Sequence, residues 1–167
     1  NRAFANCKNL KSIDIPRSVL TIGEEAFALC ENLQEIKVPL HVEYIARGTF
    51  LNCKNLQKVT IPKNVTVIEN AAFFGCENLE ELQLPFLGGT YDGTSAKLTY
   101  AFGGAVPSSL KNLIISHGRK LDLNAIPESL TLNSLVLPPE LELVNYNNLR
   151  VDGKLEEYGG AYYIGSE

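Results

Sequence analysis

The hydrophobic residues in the first half of the chain recur at a fixed interval, at every twenty-third position. The repeating columns are Phe4, Phe27, Phe50 and Phe73; Cys7, Cys30, Cys53 and Cys76; Leu10, Leu33, Leu56 and Leu79; and Pro16, Pro39, Pro62 and Pro85. Self-similarity at a fixed period of about 20 to 50 residues is typical of proteins built from stacked repeats. The pattern therefore predicts a solenoid.

Within one repeat the spacing of the apolar residues changes, and the change predicts the local structure. Ile13 and Ile15 are separated by one residue, as in a strand with alternate side chains inward, and Pro16 ends the run. The segment 24–30, EEAFALC, begins with acidic residues and places its apolar residues on one side, which favours one or two helical turns. Each repeat is thus predicted to form one coil: a strand, a corner, a short second extended segment, a helical turn and another corner.

A single coil cannot bury its own apolar side chains, because it presents only one layer of them. Stacked coils bury them by placing like residues in contact, about 4.8 Å apart along a parallel sheet. We therefore expect an α/β, β-rich solenoid with a parallel sheet, and with short helical turns and second extended segments elsewhere.

The second half of the chain keeps this pattern less regularly. The strand positions recur at Leu110, Leu113 and Ile115, and again at Leu132, Leu135 and Leu137. Ile126 and Leu149 take the place of the repeating Phe, and Leu155 begins a last incomplete coil. The pattern predicts about seven coils, each of about 22–23 residues, with the first and last partial.

One interruption breaks the period. The interval from Leu79 to Leu110 is longer than one repeat, and the extra residues fall in a stretch rich in Gly and Thr, which is typical of a loop. We divide the single solenoid, 1–167, into regular repeats at 1–85, an insertion at 86–105 and degenerate repeats at 106–167. Insertions in repeat proteins usually lie on one face, so this one is a candidate functional feature.

Composition excludes several classes of function. The 167 residues are 45% hydrophobic and 20% charged, which suits one folded domain. A net charge of -4 argues against nucleic-acid partners and anionic membrane surfaces, and no apolar run approaches the roughly 18 residues of a membrane span. The chain contains no Met and begins without a signal peptide, which indicates a fragment of a longer protein.

The repeat unit reads Phe-x-x-Cys-x-Asn-Leu-x-x-Ile-x-Ile-Pro and resembles the BspA-type, or Treponema-type, leucine-rich repeat. The resemblance implies a curved right-handed solenoid whose parallel sheet lies on the concave face. It also implies a secreted or cell-surface protein of a host-associated bacterium, and therefore an extracellular location. Some family members are adhesins for extracellular-matrix proteins or for other cells.

The repeating polar residues are best explained by structure. The cysteines lack the close C-x2-4-C pairs of zinc sites, so we interpret them as buried, unbridged thiols, with oxidation between neighbouring coils as the alternative. The column Asn9, Asn32, Asn55 and Asn78 is expected to cap backbone groups at the corners.

No arrangement of side chains suggests catalysis. His41 and His117 follow a strand whereas the cysteines precede one, which denies a Cys–His pair the hydrogen bond it needs. No pair of carboxylates is set apart by an apolar pocket. We therefore expect a protein that is not an enzyme, with no catalytic residues, no metal site and no cofactor.

The strand residues between the buried ones are predicted to face solvent. One such column is Asp14, Lys37, Thr60, Gln83, Ile114 and Val136, which turns apolar after the insertion. Either the insertion covers Ile114 and Val136 with Phe86, Leu87 and Tyr91, or these residues form an open apolar patch for a partner. The candidate partner-binding residues are Lys37, Thr60, Gln83, Phe86, Tyr91, Ile114 and Val136.

Two functions follow from these expectations. The first is a non-catalytic protein-interaction or adhesion module, whose partner is a protein such as a host extracellular-matrix, mucus or other cell-surface protein. The second is a passive spacer that displays another domain of the parent protein. Neither involves nucleic acid, and neither requires this fragment to insert into a membrane.

Overall fold

The chain winds into a β-solenoid with mostly parallel strands and little helix. The computed structural model describes residues 1–90, 97–118, 120–139, 141–145, 154–158 and 161–165. Within these ranges the helices are α1 (Leu98–Phe102) and one 3-10 turn (Leu123–Ala125).

Seven strands form the main sheet. Their order across the sheet is β1 (Glu35–Lys37), β3 (Lys58–Thr60), β5 (Glu81–Leu84), β6 (Asn112–Ile115), β8 (Ser134–Leu137), β11 (Ala161–Gly165) and β10 (Lys154–Tyr158). From β1 to β8 every pair is parallel, and the strands follow the order of the chain.

The register of the parallel strands confirms the stacking predicted from the repeat. Residues one repeat apart are direct partners, so that Ile36 pairs with Val59 and Val59 with Leu82. These three side chains are buried, while their strand neighbours Glu35 and Lys37 are exposed. Each strand therefore has one face in the core and one toward solvent.

Two short sheets lie outside the main one and contribute to the same core. The first pairs β2 (Tyr44–Ile45) with β4 (Val67–Ile68), and the second pairs β7 (Lys120–Asp122) with β9 (Glu142–Val144), both in parallel. Ile45 and Ile68 are fully buried in the cluster that also holds the inward residues of the main sheet. These strands are the second extended segments that the repeat predicts.

The corner at residues 24–29 differs from the prediction, because it forms successive turns instead of a helical turn. The amide of Ala28 bonds the carbonyl of Glu25 within the corner, whereas the amide of Phe27 bonds the carbonyl of Thr49 in the next coil at 2.9 Å. In an α-helix, these amides would instead donate to carbonyl groups of the same helix. The turns leave alternate amides free to join neighbouring coils.

The repeating phenylalanines stack in file. The ring centroids of Phe4 and Phe27 are 5.3 Å apart, and those of Phe50 and Phe73 are 5.5 Å apart, with rings nearly parallel. Phe102, at the end of α1, continues the file beyond Phe73 at 5.7 Å. The periodic pattern does not reveal Phe102, because the insertion places it further along the chain from Phe73 than one repeat.

The C-terminal end also differs from the prediction of one further incomplete coil beginning at Leu155. Strands β10 and β11 pair antiparallel with each other, and β11 pairs antiparallel with β8. Gly159 and Gly160, which separate the two strands in sequence, lie outside the described residues. The parallel succession ends at β8, so the predicted count of seven coils is not confirmed.

Candidate functional site

A groove runs along the solvent-facing side of the main sheet, at the carboxyl ends of its first strands. Its volume is about 530 Å³, and it crosses successive coils. Lys37, Thr60 and Gln83, three of the predicted partner-binding residues, line it together with Asp14 and Ser116. The register Lys37–Thr60–Gln83 is continuous from β1 through β3 to β5, so neighbouring coils build one surface.

The charge of this groove is mostly positive. Arg17, Lys37 and Lys63 line it against a single carboxylate, that of Asp14, and all four side chains belong to exposed residues. In the part of the chain that the structure describes, none of the three cations takes part in an ion pair. The groove therefore carries a local positive charge on a chain whose net charge is -4.

The floor of the groove is apolar. Ile13 and Ile15 are half-buried against the core, and Leu40 leaves 57% of its surface exposed although it is a large aliphatic residue. Pro39 and Pro62, which end strands, complete this floor. The arrangement combines three cations with apolar surface, which suits contact with an amphipathic partner.

The amino ends of the same strands are electrostatically different. Lys58 bonds Glu81 at 3.0 Å, and this hydrogen bond raises the pKa of Lys58. Glu35 lies beside Lys58 on the other side, in the register of β1 and β3. Here opposite charges of neighbouring coils lie side by side, which stabilises the register of the strands. Little uncompensated charge remains for a partner to bind.

The described start of the insertion, residues 86–90, joins the core and the sheet of β2 and β4. Phe86 and Leu87 lie in the buried core, and Gly89 accepts a hydrogen bond at 2.9 Å from the amide of Ile68 in β4. Thr90 makes an antiparallel bridge to Val67 of the same sheet. Phe86 is therefore a core residue at this end of the insertion, and Tyr91 lies outside the described residues.

Ile114 and Val136 continue the register of the groove. Ile114 pairs with Gln83 and Val136 pairs with Ile114, so both follow Lys37 and Thr60 along one line of the sheet. Both are half-buried, and neither belongs to the core cluster. Backbone pairing of neighbouring strands thus places the polar residues Lys37, Thr60 and Gln83 and the apolar residues Ile114 and Val136 on one continuous surface.

Sequence reasoning did not single out Arg17, Leu40 and Lys63. A signal was present, because these residues directly follow the repeating proline in three successive units, at the interval of the repeat. Corner residues of a coil lie next to the strand end, and the groove lies where the strand meets the corner. The position after each proline is therefore part of the surface.

The cysteines serve the scaffold. The Cys53 thiol donates a hydrogen bond to the carbonyl of Phe27 at 3.1 Å, and Cys30 and Cys76 repeat this bond one coil away on either side. Burial raises the pKa of Cys30, that of Cys53 to about 12, and that of Cys76. All four cysteines are free thiols, but Cys7 is exposed, so the predicted burial holds for the other three.

No cluster of three potential metal ligands occurs within the residues that the structure describes. A search of those residues for a helix long and apolar enough to cross a bilayer likewise finds none.

Comparison with known proteins identifies the repeat. A family model described as the BspA type leucine-rich repeat region matches residues 1–92 in six copies. A leucine-rich repeat protein from Bacteroides ovatus, known from a crystal structure, is 25% identical over 76% of this chain, with a TM-score of 0.39. The alignment covers 29% of that protein. No curated protein sequence matches the chain.

Proposed function

Because the chain belongs to the BspA-type leucine-rich repeat family, we propose that it is a non-catalytic protein-binding module that acts through its main sheet. Leucine-rich repeat domains in general mediate protein–protein interaction, and a solenoid of this kind is typically not an enzyme. The observation that carries the proposal is the groove lined by Lys37, Thr60 and Gln83.

The proposed binding surface extends from this groove along the same register to Ile114 and Val136. Backbone pairing holds these side chains about 4.8 Å apart from coil to coil, so a partner meets a rigid row instead of a mobile loop. A preformed surface loses little conformational entropy on binding.

The biological setting that we propose is adhesion by a secreted or surface-exposed bacterial protein. Proteins with BspA-type repeats are commonly surface-exposed or secreted. A host extracellular-matrix, mucus or other cell-surface protein is the partner class that suits this setting.

The second candidate is a passive spacer. The ion pair of Lys58 with Glu81 and the neighbouring charge of Glu35 favour it, because they give that half of the sheet a solvated surface on which opposite charges already lie side by side. A spacer needs rigidity and no specific contact.

Binding to a defined panel separates the two functions. The purified chain is tested by biolayer interferometry against purified extracellular-matrix glycoproteins and mucins. Thr60→Glu places a carboxylate among the cations in the middle of the groove, and Thr66→Glu makes the same change on an exposed residue outside it. We expect Thr60→Glu to weaken binding about ten-fold or more and Thr66→Glu to leave it unchanged.

Two results would contradict the proposal. If the parent chain binds no member of the panel, the spacer is favoured. If the parent binds and both variants bind equally well, the surface used lies elsewhere on the solenoid.

A further inference from the structure

Charge differs between the two ends of the strands on the solvent-facing side of the main sheet. The amino ends carry Glu35, Lys58 and Glu81, whose charges alternate from coil to coil. The carboxyl ends carry the cations of the groove. On the basis of the proposed protein-binding function, we propose that the groove takes an extended acidic peptide segment whose carboxylates meet Arg17, Lys37 and Lys63.

The three cations are available to an incoming partner. Some cations elsewhere in the described chain are paired across neighbouring coils, as Arg2 is with Glu25 at 2.7 Å and Lys58 is with Glu81, whereas others, such as Lys8 and Lys54, take part in no ion pair. In the described residues no comparable ion pair forms at Arg17, Lys37 or Lys63, although the chain has 19 acidic residues against 15 basic ones. A carboxylate entering the groove would supply the missing partner through charge-assisted hydrogen bonds.

The apolar floor favours a peptide over other polyanions. A nucleic acid or a sulfated glycan is anionic along its whole length and is matched by a continuous row of cations. The same groove is also lined by Leu40, which is more than half exposed, and by the half-buried Ile13 and Ile15. A peptide that alternates carboxylates with aliphatic side chains satisfies both kinds of surface.

The dimensions of the groove define the length of the segment. From Asp14 through Lys37, Thr60 and Gln83 to the coil of Ser116, the groove crosses about four strand spacings of roughly 4.8 Å. This distance of about 19 Å accommodates about six residues of extended chain at roughly 3.3 Å per residue. Two or three carboxylates at alternate positions would reach the cations.

Selection from a random peptide library tests this proposal without a known ligand. A displayed library of random octapeptides is selected on the immobilised chain, and the bound pool is sequenced. We expect the pool to be enriched in Asp and Glu next to aliphatic residues. A winning peptide is then synthesised with a fluorophore, together with a twin in which Gln or Asn replaces each Glu or Asp, for anisotropy measurements.

A pair of charge-matched double variants localises the binding. Lys37→Glu with Lys63→Glu reverses two cations of the groove, while Lys8→Glu with Lys54→Glu reverses two exposed lysines that do not line it. The groove variant is expected to bind the acidic peptide about ten-fold or more weakly, and the control variant within about two-fold of the parent. Circular dichroism melts confirm that both variants fold.

The outcomes separate this inference from the proposed function. If the selected peptides are not enriched in Asp or Glu but bind the groove variant more weakly than the parent, the acidic partner is overturned. The proposal of a protein-binding module is then retained. Equal binding of the acidic peptide and its neutral twin would likewise overturn the acidic partner and retain the protein-binding module. A third outcome is that no peptide is enriched, while the chain binds a sulfated polysaccharide and loses this binding in the groove variant. That result would overturn the peptide in favour of a glycan.

Discussion

At the scale of single residues, the corners of the solenoid depend on left-handed backbone conformations. Gly48 and Ala71 occupy the same position of successive repeats, with φ values of 62° and 60°, and Glu25 has 53°. A left-handed conformation costs a residue other than Gly roughly 1–2 kcal/mol. The bonds between coils offset this cost, since the amide of Glu25 bonds Arg47 and that of Ala71 bonds Tyr100.

The buried thiols are expected to make the free energy of unfolding decrease at alkaline pH. Burial raises the pKa of Cys53 from 9.0 to about 12, so the folded protein keeps this proton where the unfolded chain releases it. The thiol's contribution is fully present below about pH 9, and it is lost as pH rises toward 12. Ionisation of this thiol in the unfolded chain lowers the free energy of unfolding by about 1.4 kcal/mol per pH unit within that window.

Urea unfolding between pH 8 and pH 11 measures this effect, with pH values chosen to bracket the reference pKa of about 9. We expect stability to fall above pH 9 in the parent chain and to fall less steeply in Cys53→Ala. Parallel pH profiles for the two proteins would show that the Cys53 thiol ionises equally in both states.

At the scale of one coil, the asparagine column closes each corner onto the coil before it. The side-chain amide of Asn55 donates to the carbonyl of Glu31 at 2.8 Å, and Asn32 and Asn78 make the equivalent bonds to Lys8 and Lys54. These bonds confirm the capping role expected from the sequence. The same contact recurs because the amide and its acceptor belong to adjacent repeats.

Replacing Asn55 by Ala should destabilise the protein by about 1 kcal/mol, since the side-chain hydrogen bond is lost while the carbonyl of Glu31 still accepts from the backbone amide of Asn55 at 3.2 Å. Chemical denaturation provides the measurement. Asn9→Ala is the matched control, because the Asn9 side chain makes no hydrogen bond to another described residue and its expected effect is therefore near zero. An equal loss in both variants would mean that the amide acts through local backbone conformation.

At the scale of the whole molecule, equivalent positions of the repeat differ in burial among the described residues. Phe4 is 40% exposed, whereas Phe50 is fully buried between two other rings. Cys7 and Cys53 show the same contrast. A residue of an inner coil has neighbours on both sides, so its contribution to stability depends on its place in the stack as well as on its type.

This difference in burial predicts unequal effects for equal substitutions. Phe50→Ala should cost roughly 3–5 kcal/mol, because it opens a cavity between two coils. Phe4→Ala should cost roughly 1–2 kcal/mol, because its ring stacks on Phe27 but remains 40% exposed. Denaturant melts of both variants give the comparison, and similar losses would contradict unequal packing along the stack.

The sequence was sufficient for the regular coils and insufficient for the irregular ones. A side chain that meets its own kind in the next layer must recur at the same period, so Ile36, Val59 and Leu82 were recognisable as core. Phe102 occupies the same file but breaks the period, and only packing shows its place. The antiparallel pairing of β10 and β11 also lies outside the repeating pattern, because the period of the repeat predicts only further parallel strands.

What the sequence determined by itself was therefore the stacked β-solenoid, the inward columns and the solvent-facing row of Lys37, Thr60 and Gln83, because each follows from one repeating pattern. The tertiary structure decided the rest. Turns replaced helix at the corner of 24–29 because amides bonded to the next coil instead of within their own. The cations of the groove come together only in the folded solenoid, because Arg17 and Lys63 belong to corners of different coils and are distant from Lys37 in sequence.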